Sequence, residues 1–387
     1  MGLIPSGVFD NKDDVHMRVL TAQFDLKIDR VSMTLRRGGV VMIRDAKGQA
    51  GLIRAAEFCD HLLEGLDDLG LGSEILCLTR RHMASFGRTV PDNIPCFSLP
   101  AMSFDDGHIT SLILGDGTLL PEKANILGER QGSLPDSACR LLRAVKLIPA
   151  ALLSRLSVKN QQQQVSLAET YQIPVLDLHE LNHLTDDKEP EMSISITAKL
   201  PLAAAPDAKI VMFRQSASRE EHFAVVIGQA DGDLPPLVRL HSQCVTGDIL
   251  GSLKCDCGPQ LQTALVQMQD NGGGVLLYLA QEGRDIGLLN KIRAYALQDA
   301  GFDTVDANHR LGFETDERVF SPAAAMLKAL GLTAVRLMTN NPDKVSQLAK
   351  YGIVVKERIS LNLPTNPHNH EYMQTKRTKT GHLIDPV

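Results

Sequence analysis

From residue 260 onward the chain switches repeatedly between a helical and an extended apolar pattern, which leaves few folds open to it. "QLQTALVQMQDNGGG" sets Leu261, Ala264, Leu265 and Met268 at i, i+3, i+4 and i+7, an amphipathic helix that glycines end. "VLLYLA" (Val275–Ala280) is a continuous apolar run of strand length. "IGLLNKIRAYALQDAG" returns to the helical period and stops at Gly301. "SPAAAMLKALG" reads as a helix with Ser321 as N-cap, Pro322 at the first helical position and Gly331 past the end. "AVRLMT" is a strand, "NNPDKVSQLAKYG" repeats the cap pattern with Asn341, Pro342 and Gly352, and "IVVKERI" is another strand. Such alternation predicts an α/β unit with ligand loops at strand ends. The earlier half is mixed in the same way: "GGVVMIRD" and "SEILCLT" read as strands, "AEFCDHLLEGLDDLG" and "SLPDSACRLLRAVKL" as helices. The fold class expected is therefore α/β (α+β mixed), two domains, each a mixed sheet with flanking helices.

A chain of 387 residues is long enough for two domains. The polar, acidic stretch "HLTDDKEPEMS" (His183–Ser193) divides it, giving units at 1–190 and 191–387. "NQQQQ" (Asn160–Gln164) reads as a surface loop, and no internal repeat is visible. Net charge is −6, without the basic patch that marks a nucleic-acid partner. No run approaches the ~18 apolar residues of a membrane span. The start, "MGLIPSGVFDNKDD", lacks the basic and apolar regions of a secretory signal, and its Met-Gly has no second membrane signal beside it. Seven cysteines, an odd number in a chain without a signal, fit a reducing cytoplasm.

Three of those cysteines fall within fourteen positions, spaced C-x10-C-x-C: Cys244, Cys255 and Cys257. Free cysteines pack as small hydrophobes, but here Lys254, Asp256 and Gly258 alternate with them in a loop-like context. The spacing favours a zinc site. Three thiolates leave the fourth tetrahedral position open, as in catalytic zinc, and zinc lowers the pKa of bound water toward neutrality. His241 could instead close a structural Cys3His site. The H-x-E…P-C-x-x-C signature of the zinc deaminases is absent.

Other polar groups gather at strand ends. In "QEGRDIG" Glu282 and Arg284 flank a glycine that could turn both to a ligand, or the turn could simply be solvated. "GFETDERVF" carries Asp316 and Arg318 before a helix. "MTNNPDK" ends a strand at Thr339 and opens a helix whose N-terminal amides suit a phosphate, with Lys344 nearby, although a helix beginning with proline needs no ligand. Together these suit hydrolysis of an anionic, nitrogen-containing substrate.

From about Ile194 to the C-terminus the chain closely resembles GTP cyclohydrolase II, through "RLHSQCVTGD", "LKCDCGPQLQ", "YLAQEGRDIGLLNKIRAYALQD", "DTVDANHRLGF", "DERVF" and "RLMTNNPDK". The resemblance implies hydrolysis of GTP to 2,5-diamino-6-(5-phospho-ribosylamino)pyrimidin-4(3H)-one with release of formate and pyrophosphate, at the entry to riboflavin synthesis. It implies one zinc per chain on Cys244, Cys255 and Cys257, and magnesium with the GTP phosphates. It implies GTP contacts from the Arg239–Gln243 loop, Gln260, Glu282, Arg284, Thr304, Thr339 and Lys344. Asp316 is implied as proton acceptor, Arg318 as nucleophile toward the α-phosphate, and Tyr295 as a neighbour of the base. A guanidinium is almost never deprotonated, so charge stabilisation by Arg318 stands beside nucleophilic attack as a reading. The family usually has glutamate where this chain has Gln243. With that carboxylate gone, a GTP-binding regulator without turnover, or a cyclohydrolase of another pathway, are the rival readings.

The first half resembles 3,4-dihydroxy-2-butanone-4-phosphate synthase at a distance, through "LRRGGVVMIRDAKGQAGLIRAAEF" (Leu35–Phe58), "SEILCLTRRHMASFG", "QGSLPDSACRLLRAVKLIPAALLS" and "IPVLDLHELNHL", in family order. That family's loop, D-D-E-D-R-E-N-E-G-D, is replaced by "RDAKGQAG", which keeps only Asp45 and sets Lys47 in place of an acid. Its G-H-T-E segment is replaced by "GSLPD". Magnesium needs several oxygen ligands, so the half is expected to lack synthase activity. The synthase family dimerises, which implies a homodimer.

Overall fold

The structure, a computed structural model, describes residues 12–59, 71–115, 120–121, 123–185, 189–215, 220–228 and 234–361, with 363, 366–368, 374 and 378 beyond them. The N-terminal stretch read for a leader, and most of the helix expected over residues 56–70, lie outside these; a 3-10 turn, Ala56–Phe58, begins the latter segment.

Among the described residues, two seven-stranded mixed sheets organise the molecule. The first holds β1 (Val41–Arg44), β2 (Ala50–Ala55), β3 (Ile75–Thr79), β4 (Cys96–Pro100), β5 (Leu127–Glu129), β6 (Ala150–Arg155) and β7 (Val175–Asp177), in the order β5-β4-β3-β6-β2-β1-β7. Only β1 and β7 run parallel in it. The second holds β8 (Met192–Lys199), β9 (Lys209–Gln215), β10 (Phe223–Gly228), β11 (Leu237–Ser242), β12 (Gly273–Leu279), β13 (Ala334–Met338) and β14 (Val354–Ile359), in the order β14-β13-β11-β12-β10-β9-β8. It is parallel from β14 to β12 and antiparallel from β12 to β8. The mixed α/β class with flanking helices holds. Among the described residues, no helix is long and apolar enough to cross a membrane.

The first sheet has to cover two apolar faces. One lies against the helix Leu134–Ala144, capped by Ser133 Oγ on the Asp136 N–H. Its Leu134, Ala138, Leu141 and Leu142 pack with Val41, Ile43, Cys77 and Leu153. The other face meets the second half of the chain. Ile286, and Ala294 and Leu297 of the helix Leu288–Asp299, join a single core with Leu76, Leu78, Leu99 and Leu152. So do Ala307 of the helix Thr304–Arg310, and Leu311 and Phe313 after it.

Two expectations need correction. "NQQQQ" is no loop: Asn160 caps a helix, Gln161–Thr170. Gln164 is fully buried, and its amide donates to the carbonyls of Gly48 (2.9 Å) and Val158 (2.8 Å). Low complexity hid a glutamine used as an internal crosslink. Ser321 is not an N-cap but the first helical residue; Phe320 precedes the helix, makes no side-chain cap bond and is held by burial instead.

The halves are also locked at Gly312, whose φ of +82° favours glycine and whose added Cβ would run into the His82 ring. Burial, with Arg310 and Arg143 assisting, holds that imidazole neutral by lowering its pKa to about 3. The Gly312 carbonyl also accepts a bond from Thr79 Oγ1 (2.8 Å). Gly312→Ala should therefore cost about 2–4 kcal/mol, read as a lower denaturation midpoint in urea.

Candidate active site

The parallel strands β11, β12 and β13 present their carboxyl ends at one edge, where loop residues after each strand converge. A cleft of roughly 1070 Å3, its open mouth included, lies there. Such an edge is where α/β sheets bind ligands, because the loops are free to diverge from a fixed frame.

Cys244 lies two residues past the end of β11. Its N–H donates to Asp248 (3.0 Å), a carboxylate that also accepts Tyr278 O–H (2.8 Å) and faces His241 Nε2 at 3.1 Å. The next residues form one wide helical turn, Val245–Ile249, tied down by the Val245 N–H on Glu282 (2.7 Å). Cys257 begins the helix Cys257–Asp270. The Sγ atoms of Cys244, Cys255 and Cys257 all lie within 4.8 Å of one another. Gly247 is what makes this possible: a Cβ there would stand 2.7 Å from Cys255 Sγ and 3.1 Å from Cys244 Sγ. Gly258 packs against the Gly247 carbonyl in turn. His241 faces Asp248 and is not part of the thiol cluster, so the closed Cys3His alternative is not the arrangement found.

The cluster is primed for ionisation. Hydrogen bonds from the Cys255 and Cys257 thiols pull Cys244 far below its ordinary value, with Thr246 and Lys291 adding to the effect. The same contacts push Cys255 and Cys257 up. Lys291 Nζ stands 3.0 Å from Cys244 Sγ and 2.8 Å from Glu282. Burial works against its charge, but those two partners outweigh it and hold Lys291 above its ordinary value. A compact set of soft sulfur donors, with Cys244 drawn toward the thiolate form, can hold a metal ion.

Around the thiols stand the cations. Arg239 is buried, with Nη1 on the Met338 carbonyl (3.1 Å) and Nη2 on Gln260 Oε1 (2.5 Å); burial lowers it to about 10, still charged at neutral pH. Arg318 grips Asp316 through two bonds, Nε to Oδ1 (2.8 Å) and Nη2 to Oδ2 (2.5 Å). Burial would raise Asp316, but Arg318 and Arg284 prevail and hold it at about 2. Lys344 donates to the Leu240 carbonyl (2.9 Å), and Arg284 to that of Thr315 (3.0 Å).

Arg239, Gln243, Cys244, Cys255, Cys257, Gln260, Arg284, Tyr295, Thr304, Arg318, Thr339 and Lys344 line the cleft. Glu282 and Asp316 do not line it; they stand behind, one holding Lys291 and Val245, the other Arg318. Lys291, Gln298 and Asn308 also line it, unread in the sequence. A signal was present: Lys291, Tyr295 and Gln298 are spaced i, i+4, i+7 on one helix, and Asn308 follows Thr304 by four.

The sequence pattern of the GTP cyclohydrolase II family matches residues 193–360. The GTP cyclohydrolase-2 of Azospirillum brasilense is 39% identical over 363 residues, 92% of this chain and 94% of that protein. That of Shigella dysenteriae serotype 1 is 53% identical over 190 residues, 49% of this chain and 96% of that protein. That of Escherichia coli K12 is 54% identical over 188 residues, 49% of this chain and 95% of that protein. Among solved structures, a two-domain 3,4-dihydroxy-2-butanone 4-phosphate synthase from A. baumannii covers 87% of this chain and 99% of its own, at 14% identity and a TM-score of 0.33. A superposition that loose bears on neither half.

Two outcomes follow from the geometry. Gly247→Ala should sharply lower the metal that the thiol cluster can take up, measured by elemental analysis after loading, while the fold persists. The Asp316–Arg318 pair should survive acid. Its carboxylate is lowered below the ordinary 3.8, so its contribution is fully present above pH ~4 and fades only as pH falls through about 2. A pH titration of the Asp316 carboxyl carbon by NMR checks this.

Proposed function

The chain belongs to the GTP cyclohydrolase II family, and on that premise we propose that it hydrolyses GTP with zinc to 2,5-diamino-6-(5-phospho-ribosylamino)pyrimidin-4(3H)-one, formate and pyrophosphate, the first step of riboflavin synthesis. The observation that carries this is the opening of the thiol cluster onto the same cleft as Arg239, Arg318, Lys344 and Tyr295. A site for ring-opening chemistry and a site for phosphates thus share one cavity.

Cys244, Cys255 and Cys257 hold zinc in this reading. The all-sulfur donor set and the space kept by Gly247 fit that ion. When bound, zinc supplies Lewis acidity for hydrolysis of the imidazole ring. Lys291 neutralises part of the thiolate charge and orients Cys244. Tyr295 gives the base an aromatic face, with Gln298 beside it on the same side of the helix. Arg239, Arg318 and Lys344 supply positive charge for the triphosphate, whose magnesium comes with the nucleotide.

Asp316, held near 2, is a poor proton acceptor at neutral pH while Arg318 grips it. It becomes a better one once Arg318 turns to a phosphate and leaves only Arg284 to compensate the carboxylate. The same pairing favours the charged guanidinium, which supports Arg318 as a stabiliser of charge on the phosphates rather than a nucleophile. Gln243 lines the cleft as a neutral amide. The thiols, Tyr295, Asp316 and Arg318 remain, so turnover is retained.

Residues 1–190 and 191–387 form the two units, and the first lacks synthase activity. Asp45 Oδ1 is engaged by its own turn, accepting the N–H groups of Lys47 (2.9 Å) and Gln49 (2.8 Å), which supports a structural role for the one remaining acid. The protein acts in the cytoplasm as a homodimer.

Purified full-length chain given zinc, magnesium and GTP should release formate and pyrophosphate, followed by coupled assay and mass spectrometry. Arg318→Ala should lower kcat about 10²- to 10³-fold. An intact, zinc-loaded chain that binds GTP but never opens the ring would sink the reading in favour of a GTP-binding regulator.

A further inference from the structure

The first half carries no chemistry of its own, yet it meets the second along the two loops that bear Arg284, Asp316 and Arg318. In the segment Glu314–Arg318 the side chains divide. Asp316 and Arg318 pair with each other, and Arg318 lines the cleft. Glu314 and Glu317 pair with the first half: Arg81 Nε lies 2.6 Å from Glu314 Oε2, and Arg143 Nε lies 3.4 Å from Glu317 Oε1. Glu317 also receives the Glu314 N–H (2.7 Å), which closes the loop on itself.

The second loop is treated alike. Arg284 and Asp285 both have left-handed backbones, φ +60° and +74°, a strained state for two successive non-glycine residues. Such strain persists only where the surroundings over-determine it. Here Lys146 of the first half holds Asp285 at 2.8 Å, while its carbonyl accepts the buried Asn290 amide (3.0 Å). The loops are joined as well, through the Glu317 N–H on the Arg284 carbonyl (3.2 Å) and Arg284 Nη1 on the Thr315 carbonyl (3.0 Å).

We propose that Arg81, Arg143 and Lys146 are positioning residues: by pairing with Glu314, Glu317 and Asp285, the inactive half aims Arg284 and Arg318 into the cleft. This rests on the cyclohydrolase reading given above. The pairs are partly exposed and individually weak as stabilisers, so their effect lies in geometry rather than in stability.

The test uses the full chain. Kinetics of formate release and amide hydrogen exchange over residues 313–319 are compared for wild type, the double variant Arg81→Met/Arg143→Met, and the charge swap Arg81→Glu/Glu314→Arg. Arg44→Met, which breaks a pair with Asp177 inside the first sheet, is the control. The double variant should lose about 10- to 100-fold in kcat with KM for GTP and metal content little changed, and its exchange over 313–319 should quicken. The swap should recover kcat to within about threefold of wild type, and the control should match wild type. Unchanged kcat and exchange in the double variant would overturn the proposal. So would a loss that the swap leaves in place, or one that the control shares. If wild type releases no formate, the reading of the reaction falls, and the exchange comparison alone decides whether the first half holds the loop.

Discussion

The structure depends on how the first sheet covers its second face. A sheet buried on one side only would leave Leu76, Leu78, Leu99 and Leu152 in water, at roughly 1.5–3 kcal/mol for each side chain. Within the first half, the helix Asp106–Leu114 brings Ile109, Leu112 and Ile113 to that face, and the second half completes the cover. It uses Ala294, Leu297, Ala307 and Phe313, which belong to the segments that also carry cleft residues. The halves are therefore joined by a common core, and the position of the cleft wall is set partly by the packing of a sheet whose own residues do not line the cleft.

The metal-binding corner obeys a different constraint, close approach of backbone. Gly247 and Gly258 touch where the turn after β11 crosses the start of the Cys257–Asp270 helix. No side chain fits at either without displacing sulfur or carbonyl oxygen. Asp248 then anchors the corner through Cys244, Tyr278 and His241, which holds the three thiols close together. Convergence of this kind leaves the ion little ordering cost to meet.

Much of this was legible in the chain. Strands and helices after residue 260 followed from periodicity and from the Asn341, Pro342 and Gly352 punctuation, and the thiol cluster from spacing. The strands from Met192 to Ser242 were not read. β8 is exposed along nearly its whole length, so it carries no buried alternation, and the apolar runs of β9 and β10, IVMF and FAVVI, are short. Gln164 was misread because composition cannot distinguish a solvated glutamine from one bonded to two buried carbonyls. The pairing of Arg81, Arg143 and Lys146 with acids some 140 to 230 positions away had no local signal at all. Such contacts depend on tertiary assembly, which a single sequence does not display.

The helix Leu288–Asp299 has two audiences. Lys291, Tyr295 and Gln298 look into the cleft, while Ala294 and Leu297 sit in the core shared with the first sheet. A substitution deep in the first half can shift that helix without touching the cleft. The cleft wall therefore answers to the interior of the first half, because volume changes among Leu76, Leu78, Leu99 and Leu152 reach Lys291, Tyr295 and Gln298 through one helix.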